Sequence, residues 1–242
     1  MENKEDQNPR ELILKMLEEK SLLKQDVFAK TKQVFTDVKT VLREIFNDLK
    51  SSSKIKDKLS LELLERGEYE TEFRIAGDSI IFMMHTNVFT FDREHRIWKT
   101  SYVQNDNSLS YCGVIYIYNF LADSFRYNRT HDIGYMIARL YVNKEMHFFV
   151  EGKRQMGFLY NDFAHAVLDK DKIRSVLESA ILYCLDFDLY SPSYDEVKEI
   201  SVQEILESTI QQKIVTGKRL GFRFQADDDR VWGLRSNSEI TF

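Results

Sequence analysis

Hydrophobic residues in the N-terminal part of the chain recur at the spacing of an α-helix. Asn8 is a good N-cap, Pro9 suits the first helical position, and neither glycine nor proline interrupts Glu11–Lys50. From Val27 onward, apolar residues return at heptad spacing in two parallel rows. The residues that define this stripe are Val27, Val34, Val38, Val41 and Ile45. The pattern predicts an N-terminal helical segment over residues 1–50.

The width of this stripe leaves two arrangements open. The helix can pack on its own domain, or it can pair with a second copy as a coiled coil or a helix-swapped dimer. Paired apolar positions make the stripe broader than a two-stranded coiled coil requires, which suits burial against a sheet or in a bundle. From the second arrangement we expect a homo-oligomer formed through the stripe residues.

Alternation of polar and apolar residues predicts a sheet in the middle of the chain. Every second residue from Glu68 to Arg74 is charged, as in a strand with one buried face. The further predicted strands are Ser79–Phe91, Arg96–Gln104, Tyr111–Phe120, Ile133–Val142 and Met146–Glu151. Short polar turns join these segments, and none is long enough for the crossover that parallel pairing requires. The sheet should therefore be mainly antiparallel.

Polar residues separate the first helix from the predicted sheet. Ser51–Ser53 should end the helix, and Lys54–Asp57 is the best candidate for a hinge. Ser60–Arg66 is predicted as a short helix closed by the following glycine. Residues 51–66 would then be a hinge or short helix before an α+β domain over residues 67–242, unless the chain forms one continuous domain.

The C-terminal third returns to helical spacing. Apolar residues predict a helix over Asp162–Cys184, and Ser201 with Glu204 has the spacing of a capping box. Leu220–Phe224 is a candidate final strand. Together the segments predict an α+β fold with a long N-terminal helical segment, a sheet of about five to seven strands, and C-terminal helices packed on it. Several strands are apolar on both faces, so we expect helices to cover both sides of the sheet.

Charge and hydropathy argue against several classes of partner. The 242 residues include 34 Lys and Arg against 39 Asp and Glu, a net charge of -5, and no third of the chain is basic. Nucleic-acid binding normally requires a basic surface, so we do not expect that partner. No run approaches the roughly 20 apolar residues that span a bilayer, and the polar N-terminus lacks a secretory signal. With two cysteines, Cys112 and Cys184, we expect a cytoplasmic protein with free thiols and no membrane association.

Residues with the chemistry of catalysis are few. The glycines form no phosphate-binding loop and no histidines or cysteines have metal-ligand spacing, so we expect no cofactor and no resident metal. The strongest constellation is Asp132, Glu151 and Lys153, which resembles the acidic residues and lysine of metal-dependent nucleases of the PD-(D/E)xK type. A two-residue turn at Asn143–Lys144 would pair Glu151 with Met136 and leave Asp132 roughly 13 Å away, too far to share one ion. A metal-dependent hydrolase or nuclease is therefore the alternative hypothesis.

Aromatic residues are concentrated in the predicted sheet. Of the 17 Phe, 12 Tyr and 2 Trp residues, 20 lie between Tyr69 and Phe163. Tyrosines are common at pocket walls and interfaces, and arginines among them suit a planar or anionic ligand or a protein partner, although an aromatic core with surface arginines gives the same pattern. The candidate ligand-binding residues are Tyr116, Tyr118, Tyr135, Arg139 and His147. The sequence thus favours a non-enzymatic cytoplasmic binding or regulatory protein.

Overall fold

The architecture comes from a computed structural model, which describes residues 8–52, 59–153, 155–188, 191 and 193–205. The chain divides into two units, of which the first comprises Met1–Asp123 and Gly134–Phe187 and the second Ser124–Ile133 and Asp188–Phe242. The sheet and its covering helices belong to the first unit.

The predicted N-terminal helix is confirmed, with one irregularity. Helix α1 (Pro9–Met16) follows Asn8, whose side-chain oxygen accepts a hydrogen bond from the Arg10 backbone N–H at 3.1 Å. A π-helical turn at Leu17–Ser21 joins α1 to α2 (Leu22–Ser51), which is 30 residues long. The helix therefore ends where the serines predicted its end.

The apolar stripe of α2 packs inside the chain. Its predicted members are between 0 and 5% exposed: Val27, Val34, Val38, Val41 and Ile45. All but Val27 belong to the main hydrophobic core, which they share with the sheet. These contacts are those of the arrangement in which the helix packs on its own domain. A homo-oligomer formed through the stripe stays a prediction.

Six strands form one sheet, in which each strand lies beside its neighbours along the chain. They are β1 (Leu61–Gly67), β2 (Glu70–Ile75), β3 (Asp78–Met84), β4 (Cys112–Leu121), β5 (Tyr135–Asn143) and β6 (Phe148–Gly152). Every pairing is antiparallel. The predicted α+β fold with an antiparallel sheet is therefore confirmed.

The short helix predicted over Ser60–Arg66 is wrong, because most of this segment is β1. Leu61 and Leu63 pair with Ile75 and Phe73 of β2 and pack against the main core. Pairing and burial decide the structure here, although leucine and glutamate favour a helix in isolation. The proposed hinge at residues 54–57 lies outside the described residues.

The strand predicted over Arg96–Gln104 is also wrong. This segment forms a 3-10 turn at Arg96–Lys99 and helix α3 (Ser101–Asn105). The side chains of His95 and Thr100 cap the two turns by accepting hydrogen bonds from backbone N–H groups. Local capping therefore breaks the extended conformation that the apolar residues alone suggested.

Two helices cover the same face of the sheet. The remaining helices are α4 (Ala122–Arg126), α5 (Gln155–Leu159), α6 (Lys170–Leu185) and α7 (Tyr194–Val197). Helix α6 is capped by Asp169, begins later than predicted, and lies beside α2 in the main core. That core takes Phe73, Phe82 and Ile117 from the sheet. The two longest described helices, α2 and α6, therefore cover one face of the sheet.

The other face is partly covered by the long connection between β3 and β4. Ile97, Val103 and Leu109 of this connection form a second cluster with Val114 and other residues of the sheet. We call residues 85–111 the covering segment. It lies over one end of this face, toward β4, β5 and β6.

The second unit contains the loop at residues 124–133 and the described residues after 187. In the loop, the Ser124 hydroxyl donates to the Asp132 carboxylate at 2.7 Å. The predicted capping box is confirmed, since Glu204 N–H donates to the Ser201 hydroxyl at 3.1 Å and Ser201 N–H donates to the Glu204 carboxylate at 2.8 Å. The strand predicted at residues 220–224 lies outside the described residues.

Candidate binding face on the sheet

Two rows of side chains cross the face of the sheet opposite α2 and α6. In the first row, the strand register places these residues opposite one another: Leu64, Glu72, Ile81, Tyr118 and Met136. The second row consists of Glu70, Met83, Tyr116, Arg139 and Glu151. We call these two rows the open face. Each row alternates with residues that point into the main core, as the pleat of a sheet requires.

The second row of the open face differs from the adjoining part of the same surface in its exposure, because all five of its residues are partly exposed. The next row, Val114, Tyr141 and Phe149, is buried under the covering segment. Tyr116 and Tyr118 remain partly exposed, and the Arg139 side chain is 41% exposed. The covering segment therefore reaches the open face at Tyr116 and leaves both tyrosines partly exposed.

The two tyrosines form an aromatic surface with His85. The ring centroids of Tyr116 and Tyr118 are 5.8 Å apart with a 32° tilt, and His85 contacts Tyr116 edge to face at 6.1 Å. Burial raises the pKa of Tyr118, and the neighbouring Tyr116 adds to this shift. The Tyr118 hydroxyl therefore stays protonated at neutral pH and can both donate and accept a hydrogen bond.

An ion pair holds Arg139 at the edge of this aromatic surface. The Glu151 carboxylate accepts a hydrogen bond from Arg139, directly across from it on β5, and lies 3.2 Å from His95 Nε2. His95 stacks on Phe91 at 4.6 Å. Glu151 thus connects the covering segment to the open face and fixes the position of the Arg139 guanidinium.

A buried carboxylate lies at the opposite side of the open face. Glu72 is 0% exposed, and its oxygens accept hydrogen bonds from Arg66 at 2.5 Å, Arg74 at 2.6 Å and Ser79 at 2.5 Å. Burial raises the pKa of Glu72, but the hydrogen bonds from Ser79, Arg74 and Arg66 outweigh burial, so the pKa lies below its ordinary value. Glu72 is therefore charged in the folded protein at neutral pH.

This network predicts a loss of stability in acid. A carboxyl group whose pKa is lowered in the folded state stabilises the fold at pH values above its ordinary pKa of 4.5. This contribution disappears as the pH falls through the folded-state pKa. We expect Glu72→Gln to lower the free energy of unfolding at neutral pH by about 2–4 kcal/mol, because Arg66 and Arg74 lose a charged acceptor. Urea unfolding measured at several pH values should show a flatter pH dependence for the variant.

Glu62→Gln is the matched control for this prediction. Glu62 also accepts a hydrogen bond from Arg74, at 2.9 Å, but its side chain is 46% exposed. An exposed ion pair contributes about 0.5 kcal/mol, so this variant should unfold almost like the wild type. Equal effects of the two substitutions would contradict the assignment of the buried network to Glu72.

Three of the five predicted ligand-binding residues meet on the open face. Tyr116, Tyr118 and Arg139 lie there together, whereas Tyr135 packs against the main core on the opposite face. His147 lies in the turn before β6, where its ring stacks on Tyr102 at 4.4 Å. The structure therefore does not bring the last two residues to the candidate site.

The predicted catalytic constellation has a different geometry from the expected one. The predicted two-residue turn at Asn143–Lys144 is wrong, since Val142 pairs with Phe148 and Glu151 faces Arg139. The Asn143 side chain accepts hydrogen bonds from two backbone N–H groups within this longer turn. The predicted strand register therefore failed because the turn between β5 and β6 is longer than two residues.

The three candidate catalytic residues each have a defined environment. Glu151 is engaged by Arg139 and His95, and Lys153 follows the last residue of β6. Asp132 belongs to the second unit. Among the residues that the structure describes, no group of three or more His, Cys, Asp or Glu side chains is placed to hold a metal ion.

Ile81 and Met83 are among the residues of the open face that sequence inspection missed. Both lie in the run that begins at Ser79, which is apolar on both faces and therefore does not reveal which residues face the helices. The signal becomes readable only after Phe82 is assigned to the main core, because Ile81 and Met83 must then point the other way.

Comparison with known proteins adds no relative from which a function could be transferred. The sequence matches no protein-family model, and no curated protein or solved structure has significant similarity to it. Within the described part of the chain, no helix is both long and apolar enough to cross a bilayer.

Proposed function

We propose that the protein is a cytoplasmic, non-enzymatic binding protein whose open face holds a planar aromatic ligand. The observation that supports this proposal is the position of Tyr116, Tyr118 and Arg139, which lie side by side and partly exposed on one face of the sheet. The buried positions of Cys112 and Cys184, neither of which is in a disulfide, suit a reducing compartment.

The chemistry of these side chains indicates the kind of ligand. Tyrosine rings stack with other planar rings in offset or tilted geometry, and their hydroxyls donate and accept hydrogen bonds. A guanidinium has five N–H donors, so Arg139 can bind Glu151 and still reach a carboxylate on the ligand. A planar aromatic carboxylate therefore matches the open face better than a flexible aliphatic acid does.

This proposal is tested by comparing two acids of similar charge. Naphthoate should bind the full-length protein in isothermal calorimetry, and cyclohexane carboxylate should not, because only naphthoate can stack. Tyr116→Ala and Tyr118→Ala should each weaken naphthoate binding roughly fivefold to tenfold, which corresponds to about 1 kcal/mol per lost ring contact.

Tyr194→Ala provides the control, because this tyrosine of α7 is 80% exposed and lies in the second unit. The affinity of the Tyr194→Ala protein for naphthoate should equal that of the wild type. Absence of naphthoate binding, or unchanged binding in both open-face variants, would refute the proposal.

A further inference from the structure

One arginine side chain of the second unit is buried without a hydrogen-bond partner. Arg129 is 7% exposed, and its Nε and Nη1 atoms have no partner among the residues that the structure describes. Arg66 and Arg74 have side chains that are 31 and 22% exposed, yet both donate to the Glu72 carboxylate. Within the described part of the chain, the most buried guanidinium is therefore the one that lacks an acceptor.

Hydrogen bonds within the loop at residues 124–133 fix the backbone of Arg129. Its N–H donates to the Ser124 carbonyl at 2.7 Å, and its carbonyl accepts from the Asp132 N–H at 3.0 Å. Asn128, directly before it, has a φ of 48°, a left-handed conformation that asparagine tolerates better than most residues do. The turn thus holds Arg129 as a buried residue between exposed neighbours.

Asp132 reduces the net charge around Arg129 without supplying the missing hydrogen bonds. Its Oδ2 atom accepts a hydrogen bond from the Ser124 hydroxyl at 2.7 Å, but lies 4.0 Å from Arg129 Nη1, which is too long for a hydrogen bond. A buried donor without an acceptor is unfavourable, and a charged one is more so. The Arg129 side chain therefore has two N–H-bearing atoms for which a further acceptor would be stabilising.

A second arginine and a tyrosine ring complete the surroundings. The Cζ atoms of Arg126 and Arg129 lie 5.8 and 5.4 Å from the centroid of the Tyr127 ring, so both guanidinium groups contact the same ring. Two arginines against one aspartate give the loop a net charge of +1, whereas the whole chain has a net charge of -5. Tyr127 is 36% exposed, so solvent reaches the ring that contacts Arg129.

We propose that the loop at residues 124–133 binds a small oxyanion, a carboxylate or phosphate group, through the Arg129 guanidinium. Carboxylate and phosphate oxygens accept parallel hydrogen bonds from a guanidinium, and arginine is the side chain best suited to them. A singly charged oxyanion accepts the unpartnered N–H groups and also cancels the net charge of the loop. Because Arg129 itself is nearly inaccessible, the ion enters beside Tyr127, whose exposed ring can rotate away.

The first test is the effect of phosphate on the melting temperature of the full-length protein. Sodium phosphate is compared with sodium chloride at equal ionic strength, so that general screening is the same in both. At ten times its dissociation constant, phosphate should raise the ratio of folded to unfolded protein about tenfold and the melting temperature by roughly 4 °C. Sodium acetate is the third salt, and the larger of the two oxyanion effects identifies the preferred group.

Arg129→Met should abolish the response to phosphate, because it removes the donors and keeps a side chain of similar length. Arg126→Met is the matched control. It removes the same charge from the same loop at an exposed position, so phosphate affinity should fall only about twofold. In chloride, Arg129→Met should melt no lower than the wild type, since a buried charge without an acceptor is gone and Asp132 keeps its hydrogen bond to Ser124.

Asp132→Asn provides a test that misfolding cannot imitate, because the expected result is a gain. Asparagine still accepts the Ser124 hydroxyl, but it no longer repels an oxyanion beside Arg129 Nη1. The affinity for phosphate, measured by isothermal calorimetry, should rise roughly threefold. Asp162→Asn is the matched control, since its side chain is 65% exposed and its removal changes the net charge of the chain equally. It should leave phosphate affinity unchanged.

Three results would overturn the oxyanion site. The first is an equal phosphate response in the wild type and Arg129→Met. The second is a wild type that responds to neither phosphate nor acetate, which would leave water as the acceptor for Arg129. The third is weaker phosphate binding by Asp132→Asn, which decides the matter even if Arg129→Met does not fold. None of these measurements uses naphthoate or a variant of the open face, so the two proposals fail separately.

Discussion

Val38→Asp is expected to prevent folding of the chain. Val38 is 1% exposed and lies in the main core between α2 and the sheet. A carboxylate at this position loses its hydration without gaining a partner, which costs about 4 kcal/mol or more. Because a domain of this size is stable by about 5–15 kcal/mol, much of that margin disappears. Circular dichroism and urea titration should show loss of cooperative unfolding or a much lower midpoint.

The control for this prediction is Gln33→Asp, an exposed position on the same helix. It introduces the same side chain into α2 and should change the free energy of unfolding by less than about 0.5 kcal/mol. A Val38→Asp variant that folds normally and differs only in its association state would show that the stripe is an interface between copies. That outcome would contradict the burial described here.

Gly113→Ala is expected to separate α2 from the sheet. A Cβ atom at Gly113 would lie 1.9 Å from Thr31 Oγ1 and 2.7 Å from Thr31 Cβ, so the helix must move away from β4. Thr31 is 0% exposed, and its hydroxyl donates to the Val27 carbonyl at 2.7 Å. Its side chain therefore cannot rotate away from Gly113 without losing this hydrogen bond or meeting the surrounding core. We expect a loss of about 3 kcal/mol in the free energy of unfolding, measured by urea titration.

A second substitution tests the cause of this effect. Thr31→Ala removes the two closest atoms, so Gly113→Ala/Thr31→Ala should be more stable than Gly113→Ala alone, although Thr31→Ala is destabilising in the wild-type background. Gly77→Ala is the control, because nothing lies within 4 Å of a Cβ at that position. Additive effects of the two core substitutions would show that the contact is not the cause.

The parts of the fold that the sequence predicted correctly are those with local signals. Asn8 and Pro9 specify the start of the first helix through capping, and the repeat of apolar residues after Val27 specifies which side is buried. The segment that became β1 has no such signal. Its leucines and glutamates are compatible with a helix, and pairing with β2 decides in favour of a strand.

The candidate site could be predicted only in part, because a bulge changes the alternation of side chains. Tyr135 and Arg139 are four positions apart, so a regular strand would place them on the same face. The register of β4 and β5 shifts between Ile117 and Tyr118, and Tyr135 consequently faces the main core. Nothing in the local sequence marks this shift. The same limit applies to His147, whose position depends on the length of the turn after Asn143.

The order of the elements along the chain has a consequence for biosynthesis. Each strand pairs with its sequence neighbour, so the sheet can assemble hairpin by hairpin as translation proceeds. Helix α2 leaves the ribosome before the sheet and α6, and its ion pairs with α6, from Glu44 to Lys170 and Arg174, join residues 126 and 130 positions apart. Until the sheet and α6 have been synthesised, the apolar stripe of α2 is exposed to solvent. Chaperones can therefore bind the unfinished polypeptide.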